Sequence, residues 1–553
     1  MSSAKEALRY ESPLSLLVPI AVLALTSKGY RPACSACIGW GVECVYASDP
    51  QPSMDYGFPT PDSTLGMDLA AFVQNMPGAA SFDLPPDLAL ISSEANHGVP
   101  GLESNSPMPV VDQLPLAGQT VQLIDEFFAR CHPQLPCIHK ETFLARTQGP
   151  VSTPLEWAIL ATAARAHRDA MVSNRADMFL QAAVDSLAQS PLRRENVLRD
   201  LQAAVWCVYS LYYSGEITRA VMLLAQAYSL ACLNGLDRLD EPGPNVPATM
   251  HFSRIEKEEC RGTLWALFVL DRQINYLMGR HFVIDDVRWC VNYPLDDASL
   301  QSQLGLRPDL EPERCYSSDL TALAWEKPNI AIGTALPRLV CKASVMIGRI
   351  ATYKSINPMP SDTHSAQKRQ ADFHELQSAL ACVWVSLPAC VHNVSEVPPG
   401  CVNQSVWLLI TLHTCSTLLF YITDMERRSP GSDQYPTERE NFTCTYKSVN
   451  KVVTALRALS GLATDAVLNP MLASSYFSCC RFILLQWRRS QQQEFRLDLG
   501  LVLRLLEQVA NKQAGMARIY KEIIEQELGR DLDVQCGGDL GQALVKTEYC
   551  FMI

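Results

Sequence analysis

The sequence predicts an all-α body preceded by a long N-terminal stretch that cannot pack by itself. Three observations carry this. Apolar residues recur at helical spacing in segment after segment from Thr120 to about Leu528. Strand-like alternation is scarce, and Gly-containing stops such as Asn234-Gly235 fall where helices should end.

Taken in order, Thr120–Arg130 places Val121, Ile124, Phe127 and Phe128 on one helical face. Residues 201–213 do the same with Leu201, Ala204, Val205, Val208, Leu211 and Tyr212. A turn at Ser214-Gly215 and a second helix to Leu233 complete an antiparallel hairpin. Glu258–Met278 is apolar almost all round, so it is expected to lie between neighbouring helices, with Gly279 as its stop. Segments 334–353, 366–388, 402–422, 447–460, 470–488 and 498–528 repeat the pattern.

Upstream, residues 47–119 are rich in proline and acids and contain no Lys or Arg. Such a stretch cannot offset its ordering entropy by burial, so it is read as a disordered linker. Phe58, Phe72 and Phe82 among the acids would also suit an activation segment that folds on a partner. No sustained heptads suggest a coiled coil.

The chain has 553 residues and a formal charge of −12, from 46 Lys+Arg against 58 Asp+Glu. That balance excludes a protein that coats nucleic acid through its overall charge, but not one with a small local reading module. A hydrophobic content of 48% excludes wholesale disorder, and the length suits two to four domains. Its twenty cysteines form no regular secreted framework. Several, such as Cys207, Cys232 and Cys382, lie in apolar runs where a thiol acts as a small hydrophobe.

Near the N-terminus, residues 13–25 form an apolar run behind Lys5 and Arg9 that looks like a signal-peptide core. It is too short to span a bilayer, and Thr26-Ser27-Lys28-Gly29 is a poor cleavage site. A secreted or membrane-bound helical protein is the reading this run alone would support.

The residues that follow redirect it. Arg31-Pro32-Ala33-Cys34-Ser35-Ala36-Cys37 leads to Cys44-Val45-Tyr46, a Cys-x2-Cys-x6-Cys spacing that can place thiolates on zinc. With its flanks, this segment resembles the second half of the binuclear cluster of fungal Zn(II)2Cys6 transcription factors. In that family two such halves wrap two zinc ions, and the first half carries the basic helix that enters the DNA major groove. Here Cys34, Cys37 and Cys44 match the last three zinc ligands, and residues 1–33 contain no cysteine. A wrongly assigned first exon and a genuine truncated isoform are the two accounts of the missing half.

The body carries the resemblance further. Phe127-Phe128 with His132-Pro133, Pro136, Ile138-His139 and Phe143 looks like the opening element of the family's middle homology region. Asp271-Arg272, Gly279-Arg280 and Ile284 look like its second element. The fold class is therefore all-α, a large multi-helix regulatory domain behind a partial zinc-cluster segment and a linker. The organisation expected is an atypical apolar N-terminus over 1–33, half a DNA-binding cluster over 34–46 and the linker over 47–119. The domain core then covers 120–300, further helices 301–530 and a tail 531–553.

The resemblance implies a non-enzyme: a nuclear regulator of RNA polymerase II genes, specific to one pathway such as a secondary-metabolite cluster or catabolic genes. It implies zinc as cofactor, and as partners DNA with CGG-like triplets, coactivators or transcription machinery, a second copy of the chain, and no membrane. The alternative is a regulator that has lost DNA binding and acts by protein contacts.

Other candidate chemistry in the sequence has plainer structural readings. Cys131, His132, Cys137 and His139 could be taken as a second zinc site, but the resemblance accounts for the His-Pro and Ile-His pairs structurally. Asp271 and Arg272 could be catalytic, but such a pair more often satisfies itself or a helix end. Trp157, Trp206, Tyr209, Tyr212 and Trp265 read as core. Arg193-Arg194, Arg427-Arg428 and Arg488-Arg489 read as solvated helix ends. No GxSxG, HExxH or P-loop is present, so no catalytic residue is assigned.

Overall fold

The computed structural model describes residues 117–147, 151–189, 197–241, 252–277, 281–302, 314–324, 332–355, 363–426, 440–459, 464–513 and 515–529. Cys34, Cys37 and Cys44, the apolar run, the linker up to residue 116 and the C-terminal tail lie outside them. Every regular element among the described residues is helical.

The first helix, α1 (Ala117–Glu126), starts just inside the expected linker. It does not run to Arg130 as one α-helix. Phe127–Cys131 is a π-helical turn and His132–Gln134 a 3-10 turn, a widening that buries Phe127, Phe128 and Cys131 together. Then come α2 (Lys140–Arg146), α3 (Pro154–Ala166), α4 (Ala170–Ser173) and α5 (Ala176–Gln189). The α3 start is a capping box: Glu156 N donates to Thr153 Oγ1 at 3.3 Å, and Thr153 N to Glu156 Oε2 at 2.8 Å.

The expected hairpin is α6 (Val197–Ser214) and α7 (Ile217–Leu233), closed by Gly235 at φ 68°. Next, α8 (Arg254–Asn275) opens on a second capping box, Ser253 with Glu256, and from Glu258 to Asn275 every side chain is buried. Helices α3, α5, α7 and α8 all pack on or around α6. Short helices α9 (Asp297–Ser302) and α10 (Leu320–Ala324) sit in otherwise irregular chain.

The second half is built of longer helices: α11 (Ile332–Ser355), α12 (Thr363–Ser386), α13 (Ala389–His392), α14 (Val402–Glu426) and α15 (Glu440–Leu459). After α16 (Thr464–Val467) come α17 (Ala473–Ser490), α18 (Gln493–Gln513) and α19 (Met516–Gly529). The core is continuous from Leu123 to Ile524.

The expected helix 498–528 is two helices, broken at Gly515. The cause is tertiary. Gly515 has φ 102°, and a Cβ there would fall 2.2 Å from the Tyr213 carbonyl oxygen and 2.3 Å from the Ser214 carbonyl carbon. Gly215, at φ 87°, meets Gly515 Cα at 3.1 Å from its own notional Cβ. Two bare backbones thus press together where the α6–α7 turn meets the α18–α19 break, which only glycine permits.

Two other expectations are corrected. Cys232 is exposed and Cys382 only half-buried, whereas Cys207 is fully buried; the cysteines among the described residues are all free thiols. Arg488 is not a solvated helix end. It is buried against Glu527, donating to that residue's carbonyl oxygen, with its carboxylate 3.5 Å away. Of the five aromatics read as core, Trp206, Tyr209, Tyr212 and Trp265 are buried and Trp157 packs at the core's edge.

Candidate functional site

The two motif regions meet on α8, whose buried face carries acids and bases at three levels. Each level pins a segment of irregular backbone, whose N–H and C=O groups need partners that no helix supplies.

At the N-terminal level is the bend 132–140. His132 Nε2 accepts from the backbone N–H of Cys137 at 3.1 Å and of Ile138 at 2.9 Å. That nitrogen must be unprotonated to do so, and Nδ1 faces Asp297 Oδ1 at 3.1 Å. Glu259 Oε1 accepts from His139 N at 2.9 Å, and both ends of the Arg199 guanidinium grip the carboxylate, Nη1 on Oε1 at 3.0 Å and Nη2 on Oε2 at 3.2 Å. Gln202 Nε2 donates to Cys137 O at 2.6 Å. Gln301 donates to Ile138 O at 2.9 Å and accepts from Lys140 N at 2.7 Å. His139 caps α2, its Nδ1 accepting from Thr142 N at 3.2 Å. The bend lies against α8 so closely that a Cβ on Gly262 would sit 2.4 Å from Pro136 O.

This accounting removes the second zinc site. Both ring nitrogens of His132 and of His139 face protein groups, Nε2 of His139 lying 3.3 Å from Gln301 O. Burial pushes the Cys131 thiol up to about 12 and Cys137 higher still, so neither is disposed to form the thiolate a metal needs. No group of three metal-ligating side chains converges among the described residues.

At the middle level Glu258 binds Arg261 and Arg314; Arg314 reaches its two oxygens at 3.1 and 2.6 Å. Arg261 also donates to Asp240 Oδ2 at 2.9 Å. Asp240 in turn accepts from Asn292 N at 2.8 Å, and Arg314 Nε donates to Tyr293 O at 3.1 Å. Burial alone would push the Asp240 carboxyl up, but the Arg261 bond and charge and the Asn292 N–H bring it below its ordinary value.

At the C-terminal level Asp271 and Arg272 bind each other. The remaining carboxylate lone pairs accept from Asn275 Nδ2 at 2.9 Å and from Val283 N and Ile284 N, both at 3.1 Å. Arg272 Nη2 returns a bond to Ile284 O at 2.9 Å, and its guanidinium lies 4.0 Å from the Phe268 ring centre and 4.4 Å from Phe282. Gly348 of α11 leaves room for it: a Cβ there would be 2.6 Å from Arg272 Nε. Burial works against both charges, raising Asp271 and lowering Arg272. Four donors to one carboxylate hold the charged pair against that cost. The pair is therefore a clamp on the 283–284 loop. Gly279 and Arg280, the other half of the motif, lie outside the described residues.

The four anions Glu258, Glu259, Asp240 and Asp271 are matched by four cations, Arg199, Arg261, Arg314 and Arg272. Among the described residues, each of these buried charges is paired with one of opposite sign.

Residues 124–323, which enclose all three levels, match the profile described as fungal specific transcription factor domain. The match supports kinship with fungal transcription factors. Over 192 residues the chain is also 23% identical to the ascochitine biosynthesis cluster transcriptional regulator of Didymella fabae. That alignment covers 32% of each chain, so this protein spans about a third of that relative's length. Together the comparisons support a transcription regulator and point to a non-enzyme.

Within the matched stretch, His132, His139, Asp271 and Arg272 were visible as motif residues. Glu258, Glu259, Arg199, Gln202, Asp297 and Gln301 were missed. The signal for the two glutamates was there: consecutive acids inside a helix otherwise buried on all sides must be paired. None of the described helices is long and apolar enough to cross a membrane.

Proposed function

We propose that this chain is a pathway-specific regulator of RNA polymerase II genes that works in the nucleus, its helical body governing the output of an N-terminal DNA-reading module. The observation that carries the reading is the match to the transcription factor domain over 124–323. The name of the Didymella fabae relative supports control of a biosynthetic gene cluster. Cys34-x2-Cys37-x6-Cys44 supplies the matching piece of the reader. Three thiolates do not suffice for two tetrahedral zinc ions, so those residues by themselves do not fit the full cluster.

The second reading is a regulator that acts through protein contacts alone. One experiment separates them. Zinc content and DNA shift with CGG-containing duplexes are measured on this chain and on a version given an upstream half with three cysteines and a basic helix. The DNA-binding reading expects two zinc ions per chain and salt-dependent specific binding in the extended version only. Absence of specific binding in both leaves the protein-contact reading.

A further inference from the structure

A helix on a protein's surface normally turns its large apolar residues inward. Helix α7 does the reverse. Its buried stripe is Ala220, Leu224, Ala227 and Ala231, mostly alanine. Val221, Leu223, Tyr228 and Leu230 are only partly covered, and Met222 and Leu233 are 59% and 78% exposed. Arg219 is the one charged side chain among its 17 residues, although the whole chain is 19% charged. The helix packs on α6 and α8, and Arg219 ties it to Gln181 of α5. Its outer side is therefore an apolar, nearly charge-free ridge, about 25 Å long at about 1.5 Å per residue.

Met222, Gln226, Ser229 and Leu233 form the outermost line of this ridge, at i, i+4, i+7 and i+11. The line reads the same from either end: apolar, polar, polar, apolar. Beyond each end lie charges of both signs, Glu216 with Arg219 on one side and Asp237 with Arg238 on the other. Such a pattern is its own complement when a second α7 lies across it antiparallel. Met222 then meets Leu233 of the second copy, Gln226 meets Ser229, and Arg219 comes beside Asp237. A parallel pairing would set Arg219 against Arg219, like charge on like.

We propose that the outer ridge of α7 binds a second copy of the chain, the two helices packing antiparallel about a two-fold axis near residues 227 and 228. Charge argues for this occupant over the chain's own linker. Residues 47–119 are acidic and without Lys or Arg, and the ridge offers them only Arg219, which Glu216 already holds at 2.6 Å. Two copies of a chain of net charge −12 repel at long range, so their contact belongs on a face free of charge. A strip about 25 Å by about 10 Å is smaller than the roughly 800 Å² per partner of a standard interface. The dimer is accordingly weak and reversible, with Kd on the order of 10 µM. It uses the helical body alone and forms whether or not the chain reads DNA.

The test is analytical sedimentation of the full chain from about 1 to about 100 µM, where mostly monomer should give way to mostly dimer. Met222→Glu combined with Leu233→Glu should weaken association at least tenfold. Both side chains are exposed, and unchanged far-ultraviolet circular dichroism checks the fold. Val385→Glu, an equally exposed apolar position on α12, should leave the dimer as it is. A crosslink reads the orientation. Cys232 is exposed, and in the antiparallel pair it lies across from residue 222. Met222→Cys should therefore give a disulfide-linked dimer with oxidised glutathione, and adding Cys232→Ser should abolish it. A parallel pair would link the introduced thiol to its own counterpart and ignore Cys232→Ser. A chain that stays monomeric at about 100 µM overturns the proposal and leaves the ridge to another segment or a foreign protein. A dimer indifferent to the two glutamates, or a crosslink that survives Cys232→Ser, overturns it as well.

Discussion

The stretch from 117 to 324 and the stretch from 332 to 529 bury polar groups in opposite ways. In the first, the buried polar groups reach across the fold: Glu259 bonds the backbone of residue 139, Asp271 that of 283 and 284, and Arg314 that of 293. In the second, several buried hydroxyls turn back on their own helix. Thr414 bonds Ile410 O, Ser416 bonds Leu412 O, Thr417 bonds His413 O and Ser478 bonds Ser474 O. The difference follows from backbone regularity. Long helices satisfy their own N–H and C=O groups, so their packing asks only for shape. The bends at 132–140, 281–293 and 314 leave those groups open, and buried charges close them. Sequence motifs arise in the first stretch because only particular side chains can do this.

Breaking one of these clamps should give the largest effect. Asp271→Ala strands the Arg272 guanidinium and leaves the N–H groups of Val283 and Ile284 without an acceptor. A loss of about 3–5 kcal/mol is expected. The shift in urea midpoint at constant slope reads it. A loss below about 1 kcal/mol would show that the loop is held by something other than this carboxylate.

The two stretches meet at the glycine joint, which sets the next test. Gly515→Ala forces a Cβ into the 213–214 backbone at a positive φ, and should cost about 2–3 kcal/mol. Gly500→Ala, on the same hairpin, has nothing within 4 Å of its Cβ and should stabilise by about 0.5–1 kcal/mol. Opposite signs in thermal unfolding would confirm that contact, not glycine itself, sets the requirement. A shared sign would remove the joint from the account.

That joint also shows where the sequence stops being informative. Leu499, Val502, Leu505, Leu506, Val509, Met516, Tyr520 and Ile524 are all buried and keep close to one helical phase across the break. Nothing local announces it; the reason lies some 300 residues earlier, at Gly215. The same holds for the bend: His132 and His139 stand out in the chain, but their partners Glu259, Asp297 and Gln301 lie far along it. By contrast, the α6–α7 hairpin was legible to within a few residues because its stops are local. Arg488 misled because a paired arginine at a helix end looks the same whether water or Glu527 receives it. Cys34, Cys37 and Cys44 were legible as a spacing, and their arrangement lies outside the described residues.

Acid should separate the two stretches more gently. His413 of the second stretch is brought down to about 3 by burial and by Lys451 and His392. The unfolded chain takes up this proton near pH 6.5 and the folded chain does not, so stability falls as pH drops below that point. His413→Leu should remove a slope of up to about 1.4 kcal/mol per pH unit between pH 6 and 4. Asp240 of the first stretch has a folded value below its unfolded one. Its contribution is complete above the ordinary carboxylate range and disappears only as pH falls through the folded value. Asp240→Asn should therefore leave the slope between pH 6 and 4 unchanged, although it lowers stability throughout. Equal slopes for wild type and His413→Leu would mean that His413 protonates in the folded state.

The smallest effect is the one that most directly tests the contrast between the stretches. Thr417 is buried, and its hydroxyl donates to His413 O at 2.8 Å inside one helix. That carbonyl sits in the interior of α14, where the helix supplies its own N–H partner. Thr417→Val removes the hydroxyl, keeps the volume and leaves no buried group unpaired. The expected change is within about 0.5 kcal/mol in either direction. The contrasting change in the first stretch, Gln202→Leu, removes two hydrogen bonds: it strands Cys137 O and takes away the acceptor of Arg199 Nη1, and should cost about 1–3 kcal/mol. If the two substitutions cost the same per hydrogen bond, the stability of this protein depends on the number of hydrogen bonds. If they separate, it depends on which backbone groups would be left unsatisfied.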